Sequence, residues 1–293
     1  MKRFLCIFLV VFLCVSITGC KPNTDMQVVA TTAPMYEFAA RICNGTDIKV
    51  GCIITENVSC LHDYTLQTKQ VQMIENAEVI ILSGAGLEDF LLDLLNQSGT
   101  IIDGSASIEL LCSESGNDHH GDDHNHHHEY DPHIWLSPAN ARQMAQNICD
   151  GLQRLYPQYA DQFNNNLQEL LTELTELESY GNKQLEPLSN RQLVTFHDGF
   201  AYLAEAFNME ILHAIEEESG SEASAKELIE ICQLIEINKI PAIFTEQNGS
   251  VSAADIISAE TGSPIYQLDM AMSGDGYIQA MYHNIDTLKE ALG

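Results

Sequence analysis

Four side chains in the sequence have the chemistry and the placement of a divalent-metal site. His197 directly follows one predicted strand, and Asp269 directly follows another. His62 comes a short loop after a third predicted strand, and His133 lies in the run 131–136. Because ligands of open parallel sheets bind beyond the carboxyl ends of the strands, we expect these four side chains in one cleft. Three imidazoles and one carboxylate form a complete tetrahedral ligand set for Zn²⁺.

Each of these residues also has an ordinary structural interpretation. A single histidine after a strand is commonly a surface or hydrogen-bonded residue, and Asp269 could cap the turn that follows it. The metal interpretation is favoured because four such residues fall at equivalent structural places. His213 and His283 have no such placement, and we interpret them as structural or surface residues.

The elements that must position these residues alternate between strand and helix. Short apolar runs predict strands at 27–31, 48–54, 79–82, 100–102, 193–196, 210–214, 242–245 and 265–268. A leucine stripe at helical spacing over 158–184 predicts one helix about 39 Å long at 1.5 Å per residue.

This pattern predicts an α/β fold with two lobes of mostly parallel sheets, joined by one long backbone helix, with the metal site in the inter-lobe cleft. The expected division is a signal peptide at 1–19, an N-terminal α/β lobe at 20–138, a helical segment at 139–184 and a C-terminal α/β lobe at 185–293.

The start of the chain has the features of an export signal. Lys2 and Arg3 precede an apolar run of fourteen residues, 4–17, which is short for a bilayer span and typical of a signal-peptide core. The run ends in Ile17-Thr18-Gly19-Cys20, which resembles a bacterial lipobox. We therefore expect lipidation of Cys20 and an extracytoplasmic protein anchored to the bacterial membrane, the alternative being an ordinary secretory signal with a chance cysteine.

The charge balance excludes some classes of partner. The 293 residues include 13 Lys and Arg against 42 Asp and Glu, a net charge of −29. Nucleic-acid binding needs clustered basic side chains, so no nucleic acid is expected. A cation ligand and a soluble extracytoplasmic protein agree with this balance.

A low-complexity segment at 113–130 contains six of the 11 histidines and five acidic residues, without Lys or Arg. Its histidines are His119, His120, His124, His126, His127 and His128. A flexible chain of imidazoles should bind Zn²⁺ more weakly than a cleft, because ordering the chain costs conformational entropy. We interpret the segment as an auxiliary metal-capture loop, and the alternative is a solvated acidic linker.

The cysteines leave several arrangements open. An even number of cysteines in an exported chain permits disulfides, and those after the anchor are Cys43, Cys52, Cys60, Cys112, Cys149 and Cys232. Cys149 and Cys232 lie on apolar helix faces and are interpreted as buried free thiols. A disulfide among Cys43, Cys52 and Cys60 remains an open alternative.

The sequence resembles the metal-binding lipoproteins of bacterial zinc and manganese ABC importers, the cluster A-I or ZnuA/TroA-like solute-binding proteins. The most specific run is Asp-Pro-His-Ile-Trp-Leu-Ser-Pro at 131–138. Further matching runs are 58–64, 77–88, 196–200, 243–246 and 268–269. The resemblance implies metal ligands at His62, His133, His197 and Asp269.

Two positions depart from the family pattern. The family often has Asp-Pro-His at the first ligand, where this chain has Cys60-Leu61-His62, and the Cys60 thiolate is an alternative ligand. The family often has Asp-Pro at the last ligand, where this chain has Asp269-Met270.

The resemblance also implies a function. Manganese-type members usually carry a carboxylate where this chain has His197, and a set of three His and one Asp suits Zn²⁺ better than Mn²⁺. We expect a monomeric binding protein, not an enzyme, that captures Zn²⁺ and delivers it to the permease of an ABC importer. The alternatives are a zinc-dependent hydrolase or hydratase with an open three-histidine site, a manganese-binding importer protein and a surface adhesin.

Overall fold

The computed structural model describes residues 26–55, 64–95, 99–112, 130–216, 223–247, 252–272 and 276–293. The fold contains two four-stranded sheets, and every strand pair in both sheets is parallel. This confirms the predicted α/β class with two parallel-sheet lobes and a long helix.

The first sheet is formed by the N-terminal part of the chain. Its strands are β1 (Val28–Ala30), β2 (Val50–Cys52), β3 (Val79–Leu82) and β4 (Thr100–Asp103). They lie in the order β2-β1-β3-β4. The two central strands, β1 and β3, are almost entirely apolar because helices cover both faces of the sheet.

The second sheet repeats this topology in the C-terminal part. Its strands are β5 (Gln192–His197), β6 (Glu210–Glu216), β7 (Ile243–Glu246) and β8 (Ile265–Leu268). They lie in the order β6-β5-β7-β8, so β7 separates β5 from β8. In each sheet the chain moves outward on one side of the first strand and then continues on its other side. The switch points therefore lie between β1 and β3 and between β5 and β7, where parallel sheets open a crevice.

Nine α-helices connect the strands within the described residues. They are α1 (Ala33–Ile42), α2 (Thr68–Asn76), α3 (Leu92–Leu95), α4 (Pro138–Leu155), α5 (Ala160–Leu185), α6 (Ala201–Ala206), α7 (Ala225–Asn238), α8 (Ser252–Thr261) and α9 (Tyr277–Leu292). Several begin at sequence-encoded caps: Pro138 occupies the first turn of α4, and Ser224 forms a capping box with Glu227 at the start of α7. None of the helices within the described ranges is long and apolar enough to cross a membrane.

The long helix α5 has 26 residues and connects the two sheet regions. Four leucines at helical spacing, Leu167, Leu170, Leu174 and Leu177, are buried along one face. Gly181 allows the helix to approach Phe207 closely, since a Cβ atom there would lie 2.3 Å from the Phe207 ring. One apolar core consequently runs from the first sheet, past α4 and α5, to α9.

A second, smaller apolar cluster lies on the other face of the second sheet. It packs Val194 and Phe196 of β5 against Ile231 and Ile235 of α7 and Ile257 of α8. The second sheet is thus covered on both faces, as its apolar strands require.

Some predicted boundaries were wrong. The strand predicted at 48–54 has its ladder only over Val50–Cys52, although the N–H of Ile53 still donates to Ala30, the last residue of β1, and that of Ile54 to Thr31 directly after it. After β3 the chain forms a 3₁₀ turn at Asp89–Leu91 and becomes α-helical only at Leu92. The physical reason is the left-handed backbone at Gly84, Ala85 and Gly86, which forms a tight turn directly before it.

The described cysteines are free thiols, namely Cys43, Cys52, Cys112, Cys149 and Cys232. A disulfide between Cys43 and Cys52 is therefore not formed, and Cys60 lies outside the described residues. Burial raises the pKa of Cys43 to about 12 and that of Cys149 to about 11, so both thiols stay protonated near neutral pH.

Candidate metal centre

Two histidines meet between the two halves of the chain. His197 is the last residue of β5, rather than the first residue after it as predicted. His133 begins the 3₁₀ turn Ile134–Leu136, which leads into α4. Both side chains are buried, and their Nε2 atoms lie 3.4 Å apart with the rings nearly perpendicular.

The separation of the two Nε2 atoms fits a shared metal ion. A Zn–N bond is about 2.0–2.1 Å, so two tetrahedral nitrogen ligands lie about 3.3–3.4 Å apart. A hydrogen bond from an N–H donor is normally shorter, about 2.7–3.2 Å between the heavy atoms. The observed 3.4 Å therefore suits two ligands of one ion better than a donor–acceptor pair.

Asp131 orients the first imidazole. Its Oδ1 atom accepts hydrogen bonds from both the backbone N–H and the ring Nδ1 of His133, each at 2.8 Å. A carboxylate on Nδ1 selects the tautomer that carries its proton there, which leaves the Nε2 lone pair directed at His197. Sequence reasoning did not assign Asp131 a role, although an acidic residue two positions before a candidate ligand was a usable signal.

Asp269 is held in place by its backbone and by one carboxylate oxygen. It follows β8 directly and is buried. Its N–H donates to Asn284 Oδ1 and its carbonyl accepts from Asn284 Nδ2, both at 2.7 Å. Its Oδ1 accepts from the N–H of Ala271 at 2.7 Å.

The four predicted ligands are only partly brought together. Among the residues that the structure describes, no three His, Cys, Asp or Glu side chains are close enough to hold one metal ion. The structure joins His133 to His197 and does not bring Asp269 into the same group. His62 and the six histidines of the segment 113–130 lie outside the described residues.

Glu246 is a buried acidic residue that sequence reasoning did not assign to the site. It ends β7, between the strands that lead to His197 and Asp269. The pairing of Thr195 with Phe244 places it level with His197 on the neighbouring strand. The sequence feature that could have identified Glu246 is its position as the acidic last residue of an apolar strand, between the predicted strands that lead to His197 and Asp269.

The buried charges of the described region are all acidic. Glu88, Asp131, Glu246 and Asp269 are buried, and no lysine or arginine of the described residues is. A buried carboxylate is costly unless a cation or hydrogen-bond donors compensate it. Asp131 lies two residues before His133, and Glu246 and Asp269 lie at the ends of β7 and β8, on the sheet edge where His197 ends β5. This group of acids favours a bound cation there.

The run around His133 is bonded to the segment that carries Asp269. The indole Nε1 of Trp135 donates to the carbonyl of Met270 at 2.8 Å, and the Tyr277 hydroxyl donates to the carbonyl of Trp135 at 2.7 Å. Gly199 packs directly on the other imidazole, since a Cβ atom there would lie 2.7 Å from His197 Nε2. The two histidines are therefore held by short contacts from several elements.

Glu88 stabilises the corresponding edge of the first sheet. Its carboxylate accepts from Thr31 Oγ1 after β1, and from the N–H groups of Ser83 and Gly84 after β3, at 2.5, 2.7 and 3.0 Å. Burial raises the pKa of Glu88 to about 7, against the opposing effect of these three donors. Its bonds tie two strand ends together, so its role in the described structure is structural.

Comparison with known proteins identifies relatives of this architecture. The family model of ZnuA, described as zinc-uptake complex component A, periplasmic, matches residues 28–291. The zinc-binding lipoprotein AdcA of Streptococcus pneumoniae is 29% identical over 282 residues, which cover 90% of this chain and 55% of that protein. The zinc-binding protein AdcA of Streptococcus pyogenes is 28% identical over 288 residues, with the same coverage of 90% and 55%.

A solved structure extends the similarity to the whole fold. The crystal structure of ZnuA has a TM-score of 0.80 and 27% sequence identity, and the match covers 92% of this chain and 99% of that one. The chain spans about half the length of the curated relatives that it matches, 55% in both cases given above. Because the family model matches almost the entire described fold, this chain belongs to the ZnuA family.

Proposed function

We propose that this protein is an extracytoplasmic solute-binding protein that captures Zn²⁺ and delivers it to the permease of an ABC importer. The observation that carries the proposal is the buried pair of Nε2 atoms 3.4 Å apart, at the separation of two tetrahedral zinc ligands. The proposed ligand set is His62, His133, His197 and Asp269. The names of the relatives, a zinc-uptake component and zinc-binding proteins, support the same ion.

The ligand types favour zinc over manganese. Imidazole suits a borderline ion such as Zn²⁺, whereas Mn²⁺ prefers sites richer in oxygen ligands. His197 is the discriminating residue, because a carboxylate there would give two nitrogen and two oxygen ligands. Zn²⁺ is cargo here and not a resident cofactor, so its release matters as much as its binding.

The partners and the anchor belong to the same proposal. Members of this family work with ABC permeases, and we infer that this chain docks on such a permease after loading. Cys20 is the proposed lipid anchor, in agreement with the word lipoprotein in the name of one relative. We propose binding and not catalysis, because solute-binding components deliver an ion without changing it.

We retain the proposed division of the chain into lobes at 20–138 and 185–293 with a helical segment at 139–184. The apolar core that passes along α5 connects these lobes. The segment 113–130 is proposed as an auxiliary capture loop whose weaker imidazole sites supply the cleft with Zn²⁺.

The first experiment locates the tight site. The metal-free mature chain, with and without residues 116–129, is titrated with Zn²⁺ and Mn²⁺ separately and in competition, and stoichiometry and affinity are measured by calorimetry. We expect one tight Zn²⁺ site in both forms, which excess Mn²⁺ displaces poorly. Loss of tight binding in the shortened form would place the site in the histidine-rich segment and refute the cleft assignment.

A matched pair of histidine variants tests the ligand set. His197→Ala removes a buried imidazole, and His283→Ala removes an exposed one on α9. We expect His197→Ala to weaken Zn²⁺ binding by orders of magnitude and His283→Ala to leave the Kd unchanged. Near-native affinity of a folded His197→Ala variant would refute the assignment.

A further inference from the structure

The two ends of the histidine-rich segment are joined at their base. Cys112 and Tyr130 form an antiparallel bridge, and the N–H of Asp131 donates to the carbonyl of Leu111 at 2.9 Å. The residues just before and just after the segment therefore lie side by side. The second of these ends leads, two residues later, to His133.

One buried hydroxyl connects both ends. Tyr202 lies on α6 and is 1% exposed. Its Oη atom accepts a hydrogen bond from the N–H of Leu111 at 2.9 Å and donates one to the carbonyl of Asp131 at 3.1 Å. Removal of this single oxygen would leave an N–H on one side and a carbonyl on the other without their partner.

The same hydroxyl is bonded directly to the residue that supports His133, and its helix follows His197 closely in the chain. Asp131, whose carbonyl it holds, places its carboxylate on the backbone N–H and the ring Nδ1 of His133. Helix α6 itself begins at Ala201, four residues after His197. A shift of Tyr202 would thus change the position of one imidazole relative to the other.

We propose that Tyr202 is a positioning residue of the metal site, which locks the base of the histidine-rich segment and, through Asp131, sets the orientation of His133. The proposal rests on the proposed function, because it concerns the same metal site. Tyr202 touches no metal; it acts by holding the Asp131 backbone so that the carboxylate meets Nδ1. Residues that support a metal-bound histidine in this way commonly change metal affinity 10- to 100-fold when they are removed.

The test uses Tyr202→Phe in the full mature chain, with Tyr180→Phe as the matched control. Tyr180 lies on α5 and donates its hydroxyl to Asp286, an exposed contact with no described bond to the site. We expect Tyr202→Phe to weaken Zn²⁺ binding about tenfold or more, at the lower end of the range for such supports, and the control to leave the Kd unchanged.

Two readouts separate positioning from loss of stability. The visible absorption of the Co²⁺-loaded protein reports ligand geometry, and we expect its bands to change in Tyr202→Phe and not in Tyr180→Phe. The second readout is a double-mutant cycle with Asp131→Ala. If Tyr202 acts through Asp131, then Tyr202→Phe should cost little further affinity once the carboxylate is gone.

The outcomes distinguish this inference from the proposed function. If the unmodified protein binds no tight Zn²⁺, the proposed function fails and the inference fails with it. If it binds Zn²⁺ tightly but Tyr202→Phe has the same Kd and the same Co²⁺ spectrum, only the inference is refuted. Additive losses in the Asp131→Ala cycle would also overturn it, because they would show that Tyr202 acts independently of the Asp131 carboxylate.

Discussion

Gly199 provides the sharpest test of where the metal binds. The residue has no left-handed φ, so alanine meets no backbone penalty there. The added Cβ, however, would lie 2.6 Å from Cδ2 and 2.7 Å from Nε2 of His197. Ordinary van der Waals contact needs about 3.5 Å or more, so the imidazole or the turn that carries Gly199 must move by roughly 0.8 Å.

This displacement is large compared with what a metal site tolerates. Metal–ligand distances hold within about 0.2 Å, so a shift of roughly 0.8 Å removes most of the bond from His197. We expect Gly199→Ala to weaken Zn²⁺ binding about 100-fold, which corresponds to about 2.7 kcal/mol. Competition against a chelator of known affinity measures the change in Kd.

Gly181 supplies the control for a steric clash outside the site. A Cβ there would lie 2.3 Å from the Phe207 ring, between α5 and the C-terminal part of the core. We expect Gly181→Ala to lower the unfolding midpoint while it leaves the Zn²⁺ Kd unchanged. A folded Gly199→Ala protein with the unmodified Kd would show that His197 Nε2 does not bind the metal where the structure places it.

Two further predictions concern stability. Burial raises the pKa of Glu88 from 4.5 to about 7, so the folded state binds the carboxyl proton more tightly than the unfolded chain does. The stabilisation from this proton is complete below pH 4.5 and is lost as the pH rises through 7. Urea titrations of the unmodified protein and of Glu88→Gln measure this effect: the difference between their unfolding free energies should fall between pH 4.5 and 7. A constant difference would mean that the three donors keep the carboxylate ionised over this whole range. Ser224→Ala should lower the unfolding free energy by about 1 kcal/mol, because its side chain caps Glu227 N–H at the start of α7, and an unchanged urea midpoint would contradict this.

The fold was largely predictable because central strands such as β1 and β3 are apolar on both faces. Residues 79–82 stand out as a continuous apolar run, and residues 265–268 as a short apolar run with one glutamine; the structure has β3 and β8 at those bounds. Short elements were less predictable. The 3₁₀ turn before Leu92 depends on three successive left-handed residues, which apolar periodicity does not encode.

The part of the site that could be predicted consists of residues whose position relative to predicted strands is visible in the sequence. Strand-end placement led to His197, and the run 131–136 after the histidine-rich segment led to His133; the structure brings these two together, while the roles of all four proposed ligands remain predictions. Tyr202 and its partner Asp131 are 71 residues apart, and nothing in local sequence pairs them. Such supports follow from tertiary packing, so the sequence alone could not identify them.

The apolar core that continues along α5 has a consequence for how cargo is exchanged. Because one helix and one core serve both lobes, a wide opening of the cleft would have to separate buried leucines from their neighbours on both sides. A movement confined to the segments that hold the ligands leaves this core intact. If the proposed function holds, the rate at which the ion leaves should therefore depend on local ligand exchange at the site rather than on a hinge between the lobes.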